Sequence, residues 1–328
     1  MTSAKTLIFA FAALSIAAGP ALADKKQLAI VVKGRDDPAY AVIGEGCARW
    51  NADNKDSDYE CLYTGPASAL DRKGELQIVD DLITTGAAAI AVAPSDPVAM
   101  AELLKAKSPA MPILTIESDL AEADRGLRRT FVTVDERQVG VKLAELVGTW
   151  KPSGKICIQF GKGDSAVGNA RAAGLRETLA GAAGVTSLSG QHGWTEVTGC
   201  PLYSDGDPAV ANKQINETLI ANPDLDALVL LDAAALTAPA AYARAIDPAK
   251  ARLKDKSLVV VAADTPNPVT AMLKAGTVRA QVGEARFSLG YVAPSIMLDA
   301  IAGRTLADPA LVGVTACTTE TLATCTNR

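Results

Sequence analysis

The chain has 328 residues, 49% of them hydrophobic, and a formal charge of −5 spread along its length. That apolar content supports more than one buried core, and the lack of a basic stripe argues against a nucleic-acid partner. A single histidine, His192, and the absence of any C-x-x-C pair argue against a metal site.

The first 23 residues read as a secretory signal peptide. Lys5 precedes an apolar run from Leu7 to Ala18, and Ala21-Leu22-Ala23 forms a small-x-small cleavage site. The run is too short and wrongly flanked for a membrane span, so the mature chain is expected to begin at Asp24 and to be exported. An even number of cysteines in an exported chain reads as disulfides instead of metal ligands. Proximity along the chain suggests Cys47–Cys61, Cys157–Cys200 and Cys317–Cys325.

Leu28 to Val32 is a continuous β-prone run, as expected of a strand covered on both faces. Tyr59 to Tyr63 is a weaker strand candidate. Leu76, Val79, Leu82 and Ile83 share one helical face, and Gly86 ends that helix. Ala88 to Ala93 and Ile113 to Ile116 are further strands. Between them Asp96-Pro97 opens a helix, with aspartate as cap and proline in the first turn, followed by Met100, Leu103 and Leu104. The same grammar restarts after Asp135. A helix carries Val139, Leu143, Leu146, Val147 and Trp150. Strands follow at 155–160, 185–188, 227–231, 258–262 and 278–282, and Asp207-Pro208 starts another helix. The chain therefore reads as two successive parallel α/β units joined by short hinges, one crossing at Thr133 to Asp135.

In open parallel α/β sheets, ligands bind beyond the carboxyl ends of the strands. The residues there are polar: Arg35 to Tyr40, Ser95-Asp96, Glu117-Ser118-Asp119, Gly161 to Ser165, Asp232, Asp264-Thr265 and Glu284. An aspartate after a strand can equally be a helix cap, and Asp96, directly before Pro97, is read that way. The polar set recurs in both halves, so two such edges facing each other would form a cleft for a hydroxylated solute. There is no G-x-S-x-G elbow, and no strand leads into G-x-G-x-x-G. Gly161-Lys162-Gly163-Asp164-Ser165 lacks the spacing of a phosphate loop.

Five segments carry a resemblance to a known family. They are Asp37-Pro38-Ala39-Tyr40, Gln77 to Ile83 with Gly86 and Ile90 to Pro94, Pro112 to Glu117, Asn169 to Leu175, and Val261 to Asp264. In this order they resemble periplasmic sugar-binding proteins of the ribose-binding type, the solute-binding components of ATP-driven (ABC) importers. The resemblance implies two Rossmann-like lobes joined by three hinge crossings. The first lobe would comprise residues 24–133 and 285–306, the second 134–284 and 307–328, with the return crossing near Ala307. It implies no cofactor, a periplasmic location, a monomer, and a membrane permease as partner. The ligand-binding residues it implies are Asp37, Tyr40 and Glu117 in the first lobe, and Arg171, Trp194, Asp232, Asp264 and Glu284 in the second. Tyr40 and Trp194 would stack on sugar faces, while Arg171 would offer a planar fork of donors to the hydroxyls.

The chain also departs from the family. Asp37, Asp232 and Glu284 stand where amides are usual, and Ser118 where many members carry arginine. Five carboxylates would then face one arginine, and such crowding favours a positively charged ligand, such as an amino sugar. An insertion from Thr195 to Asp207 carries Cys200. Two other functions fit the same residues: a sensor that docks to a membrane receptor, and a secreted hydrolase using the acidic cleft.

Overall fold

The computed structural model describes residues 25–264, 269–283 and 286–322. The first half of the chain forms β1 (Lys26–Val31), α1 (Pro38–Asp53), β2 (Tyr59–Thr64), α2 (Arg72–Thr85), β3 (Ala89–Val92), α3 (Pro97–Lys107), β4 (Ile113–Ile116) and β5 (Phe131–Val134). Next come α4 (Glu136–Trp150), β6 (Gly154–Phe160), α5 (Ala166–Ala180), β7 (Trp194–Glu196), β8 (Leu202–Tyr203), α6 (Pro208–Ala221) and β9 (Ala227–Leu230). The chain continues with α7 (Pro239–Ala245), α8 (Lys250–Asp255), β10 (Val259–Ala263), α9 (Val269–Ala275) and β11 (Ala280–Gly283). It closes with α10 (Arg286–Ile301), β12 (Ala310–Val312) and β13 (Thr315–Thr318).

Apolar residues on both faces of the central strands make each sheet the centre of a three-layer lobe. Along β1, Leu28 and Ile30 enter one core with residues of α1 and α10, while Ala29 and Val31 enter another with α2 and α3. Along β6, Cys157 faces a core with α6, and Ile156, Ile158 and Phe160 face one with α4 and α5. Among the described residues, one sheet runs β2-β1-β3-β4-β5-β12, all parallel. The other runs β7-β6-β9-β10-β11-β13, with β8 also on β6, and only β13 is antiparallel.

The chain passes from the first sheet to the second between Val134 and Glu136. It returns between Gly283 and Arg286, since α10 packs on α1, β1, β3 and β5. The last crossing differs from the expectation of a return near Ala307. Ala310–Val312 pairs with Val132–Val134, so the crossing lies between Val312 and Thr315. The physical reason is that β5 would otherwise be an open edge with unpaired backbone groups. The approach to β12 is pinned to the first sheet as well: Thr130 Oγ1 donates to the Ala307 carbonyl (2.6 Å) and the Phe131 amide to Asp308 Oδ1 (3.1 Å). A second expectation also fails. Residues 185–188 are irregular, and the edge strand beside β6 is Trp194–Glu196. Gly181 and Gly184 take left-handed conformations here (φ +62° and +76°), turning the chain before a strand can form.

Asp96 and Asp207 are caps, accepting from the amides of Ala99 (3.1 Å) and Ala209 (2.7 Å). Cys47–Cys61 ties α1 to β2, and Cys157–Cys200 ties β6 to the segment after β7. Their separations, 14 and 43 residues, correspond to roughly 3 and 4 kcal/mol in the chain-entropy treatment. Cys317 is buried on β13. Its expected partner, Cys325, lies outside the described residues.

Asp119 stands near the end of β4 but braces the first lobe. It accepts two bonds from Arg128 (2.6 Å each) and one from Thr115 Oγ1 (2.6 Å), and Arg128 also reaches Asp308 (2.7 Å). Burial alone would raise the Asp119 pKa, but the Arg128, Thr115 and Leu120 donors hold it below its ordinary 3.8. A depressed carboxylate contributes stability that is complete above the unfolded value and lost as pH falls through the folded one. Stability measured by urea titration should therefore fall below pH 3.8 less steeply in Asp119→Asn than in the unaltered protein.

Candidate functional site

The carboxyl ends of the two sheets face each other across a cavity of about 440 Å³. The first lobe contributes Glu117, Thr133, Val134, Arg286 and Leu289. The second contributes Glu136, the turn from Phe160 to Ser165, Arg171, Asp205-Gly206, Asp232 and Asp264. Both lobes set an acid directly after a central strand in the left-handed region, Glu117 (φ +65°) after β4 and Asp264 (φ +64°) after β10. Non-glycine residues rarely adopt this conformation, and it concentrates at functional sites.

Arg171 is the centre of the second-lobe wall and is 3% exposed. Its Nε donates to Glu136 Oε2 (2.6 Å), and its Nη1 to Asp264 Oδ2 (2.9 Å) and to the Leu231 carbonyl (2.6 Å). Close contact between α4 and α5 brings the arginine to Glu136. A Cβ on Gly140 would lie 1.9 Å from the Arg171 carbonyl oxygen, and one on Gly174 2.1 Å from that of Arg137. Burial pushes the Asp264 carboxyl up despite the Arg171 guanidinium beside it. Its Oδ1 is buried without a hydrogen bond, an acceptor facing a polar cleft. Asp232 lines the cavity with one oxygen turned back to the Ala234 amide (2.9 Å).

On the first-lobe wall, Glu117 pairs with Lys33 (2.8 Å) and lies 3.8 Å from Arg286. Tyr40 is buried behind it. Its hydroxyl donates to Glu117 Oε1 (3.3 Å), and the Arg286 guanidinium lies over its ring at 5.1 Å. Burial first, then the neighbouring Glu117 charge, pushes the phenol above its ordinary value. Tyr40 thus supports Glu117 from outside the cavity lining. Asp37 is exposed, also outside the lining, and its carbonyl accepts the Tyr40 and Ala41 amides at the start of α1.

Trp194 is not at the cleft. It is 2% exposed and pairs with Gly154, the first residue of β6, whereas the cavity meets β6 at Phe160. Six residues of strand separate those ends by roughly 20 Å. The tryptophan packs in the core between the sheet and α4 and α5, because β7 takes it up as an apolar edge-strand residue. Glu284 lies outside the described residues.

Five charged residues of the cavity lining were not among the expected site residues: Glu136, Lys162, Asp164, Asp205 and Arg286. Lys33, outside the lining, pairs with Glu117. Glu136 follows the cap Asp135 and reads locally as an ordinary first-turn acid. Lys33 follows β1 two residues before the polar strand-end set that starts at Arg35, and lies outside that set. The expectation of five carboxylates around one arginine is corrected accordingly. Glu117 is matched by Lys33 and Arg286, and Asp264 and Glu136 share Arg171. Asp164, Asp205 and Asp232 form no ion pair among the described residues and outnumber Lys162, the further cation lining that wall, so the excess negative charge sits at the second-lobe side.

A D-ribose/D-allose-binding protein of Pseudomonas aeruginosa is 25% identical over 293 residues, covering 86% of this chain and 84% of that protein. Among solved structures, AraP, an arabinose binding protein from Geobacillus stearothermophilus, is 17% identical. It covers 92% of this chain and 99% of its own, with a TM-score of 0.70. A sugar ABC transporter structure from Actinomyces odontolyticus is 20% identical, covering 91% of this chain and 97% of its own, with a TM-score of 0.72. At such identities the structures share the fold. The periplasmic binding protein domain matches residues 28–305, from the first strand through the last long helix. Two parallel sheets with a cleft between their strand ends, carried on that matched span, place this chain in the periplasmic binding protein domain family.

Proposed function

We propose that this protein captures a small sugar in the interlobe cleft and delivers it to the permease of an ABC importer. The observation that carries this is the cavity of about 440 Å³, whose walls offer charged hydrogen-bonding groups from both lobes. Arg171 with Asp264 and Asp232 would hold the sugar from the second lobe and Glu117 from the first. The family resemblance adds Glu284, which lies outside the described residues. The P. aeruginosa relative binds D-ribose or D-allose by its name. Related structures contain D-fucose, D-allose and D-arabinose. The chain would be exported through its N-terminal segment and act as a monomer, with no catalytic step and no cofactor.

Asp164, Asp205 and Asp232, against the single nearby lysine Lys162, favour an amino sugar over a neutral one, since an ammonium would offset the remaining negative charge there. Calorimetry on the mature chain, freed of ligand by unfolding and refolding, tests both levels. The panel is D-ribose, D-allose, D-arabinose, D-fucose, D-glucosamine and D-galactosamine. One-to-one binding of an amino sugar is expected. Tight binding of only neutral members discards the charge argument, and silence across the panel discards the sugar assignment.

A further inference from the structure

The insertion between β7 and α6 is built onto the end of β6 that meets the cleft. Cys200 is disulfide-bonded to Cys157 in the middle of β6. Two residues later β8 begins and pairs with Gln159 and Phe160, and the Tyr203 ring meets Phe160 edge-on at 5.0 Å. The backbone then continues alongside. The Ser204 amide donates to the Phe160 carbonyl (3.1 Å) and the Asp205 amide to that of Gly161 (2.8 Å). Gln214 of α6 holds the Tyr203 carbonyl from outside (2.8 Å). This path puts Asp205 and Gly206 into the cavity lining, Asp205 with φ +53°. A Cβ built on Gly161 would lie 3.5 Å from Asp232 Oδ2 and 3.6 Å from the Gly206 amide, so the Asp232 carboxylate and the inserted loop flank one open space. Asp205 forms no ion pair among the described residues.

We propose that Asp205 is a ligand-binding residue that sets specificity, and that the Cys157–Cys200 bond positions it by stapling the insertion to β6. With Asp232 it receives the ammonium or hydroxyl group at the second-lobe end of the bound sugar. This rests on the reading of the cleft as a sugar site.

The test is calorimetry of four proteins: the unaltered chain, Asp205→Asn, Cys157→Ala combined with Cys200→Ala, and that cysteine variant with Asp205→Asn added. Each is titrated with the six sugars named above. For the tightest-binding sugar, Asp205→Asn is expected to weaken affinity about ten- to hundredfold, as for loss of a charged hydrogen bond, with an unchanged unfolding midpoint. The cysteine variant, measured below its own unfolding transition, should weaken binding in the same direction. Adding Asp205→Asn to it should then cost little more, because an unpositioned carboxylate has little left to lose. If Asp205→Asn binds within about twofold of the unaltered chain, the inference is overturned and the sugar reading stands. If the unaltered chain binds none of the six, the reading and the inference fall together. A cysteine variant that fails to fold leaves Asp205→Asn as the deciding measurement.

Discussion

Replacing Arg171 with methionine is expected to abolish ligand binding and to lower stability at pH 7 by about 3–5 kcal/mol. The side chain is almost wholly enclosed, and it is the shared cation for Glu136 and Asp264. Removing it leaves two carboxylates facing each other without a counter-charge and frees the Leu231 carbonyl of its donor. The cost is that of breaking a buried pair, much larger than the net worth of forming one. The loss should also depend on pH. Burial already raises the Asp264 pKa, and without Arg171 it would rise further. A carboxyl with a raised folded value binds protons more readily in the folded state, so stability falls as pH climbs from the unfolded value through the folded one. The deficit of Arg171→Met should therefore be smaller near pH 5 than at pH 7. Urea titration at the two values checks this, and a variant as stable as the parent at pH 7 would contradict the assigned pairing. Arg171→Lys should recover part of the stability but little binding, because an ammonium cannot span Glu136, Leu231 and Asp264 as the guanidinium fork does.

The second large effect concerns backbone contact between helices. Each lobe pairs two helices through glycines: Gly46 and Gly290 between α1 and α10, Gly140 and Gly174 between α4 and α5. A Cβ on Gly290 would lie 1.9 Å from the Ile43 carbonyl oxygen, and one on Gly46 2.2 Å from that of Phe287. The obstructing atoms are backbone in every case, so no rotamer change relieves the clash and the helices must separate. Gly140→Ala is expected to destabilise by about 3 kcal/mol or more, at the upper end of overpacking costs. It should also weaken ligand binding in the protein that remains folded, because the displaced α5 carries Arg171 away from Glu136. Gly148→Ala, on the same helix with nothing within 4 Å of its added Cβ, is the control. It should be neutral or stabilising by up to about 1 kcal/mol through helix propensity. Thermal and urea unfolding of the two variants give opposite signs if the close helix contact is correctly identified.

These two sets of residues differ in how visible they were beforehand. Asp264 could be placed at a strand end from local pattern, and Arg171, inside α5, at the cleft from family resemblance alone. Gly174 lies in the same recognisable segment as Arg171. Gly140, which receives the Arg171 backbone, carries no local mark, since a glycine in a helical pattern says nothing about which helix will cross it. Trp194 shows the converse error. The family resemblance implied a cleft residue that stacks on a sugar face. Pairing with the amino end of β6 instead buried it at the far side of the sheet.

What the sequence determined by itself was everything written in consecutive residues. Apolar runs and helical periodicity marked two successive α/β units. Aspartates before prolines at 96 and 207 marked helix starts, and cysteine proximity identified Cys47–Cys61 and Cys157–Cys200. Only the tertiary structure decided the pairings between distant residues. It closed the first sheet with Ala310–Val312, joined Glu136 to Arg171, set Lys33 and Arg286 on Glu117, and brought Asp205 into the cleft. The division is physical. Caps, turns and amphipathic faces depend on neighbours a few residues away, while strand order and charge pairing depend on which cores the whole chain can bury at once.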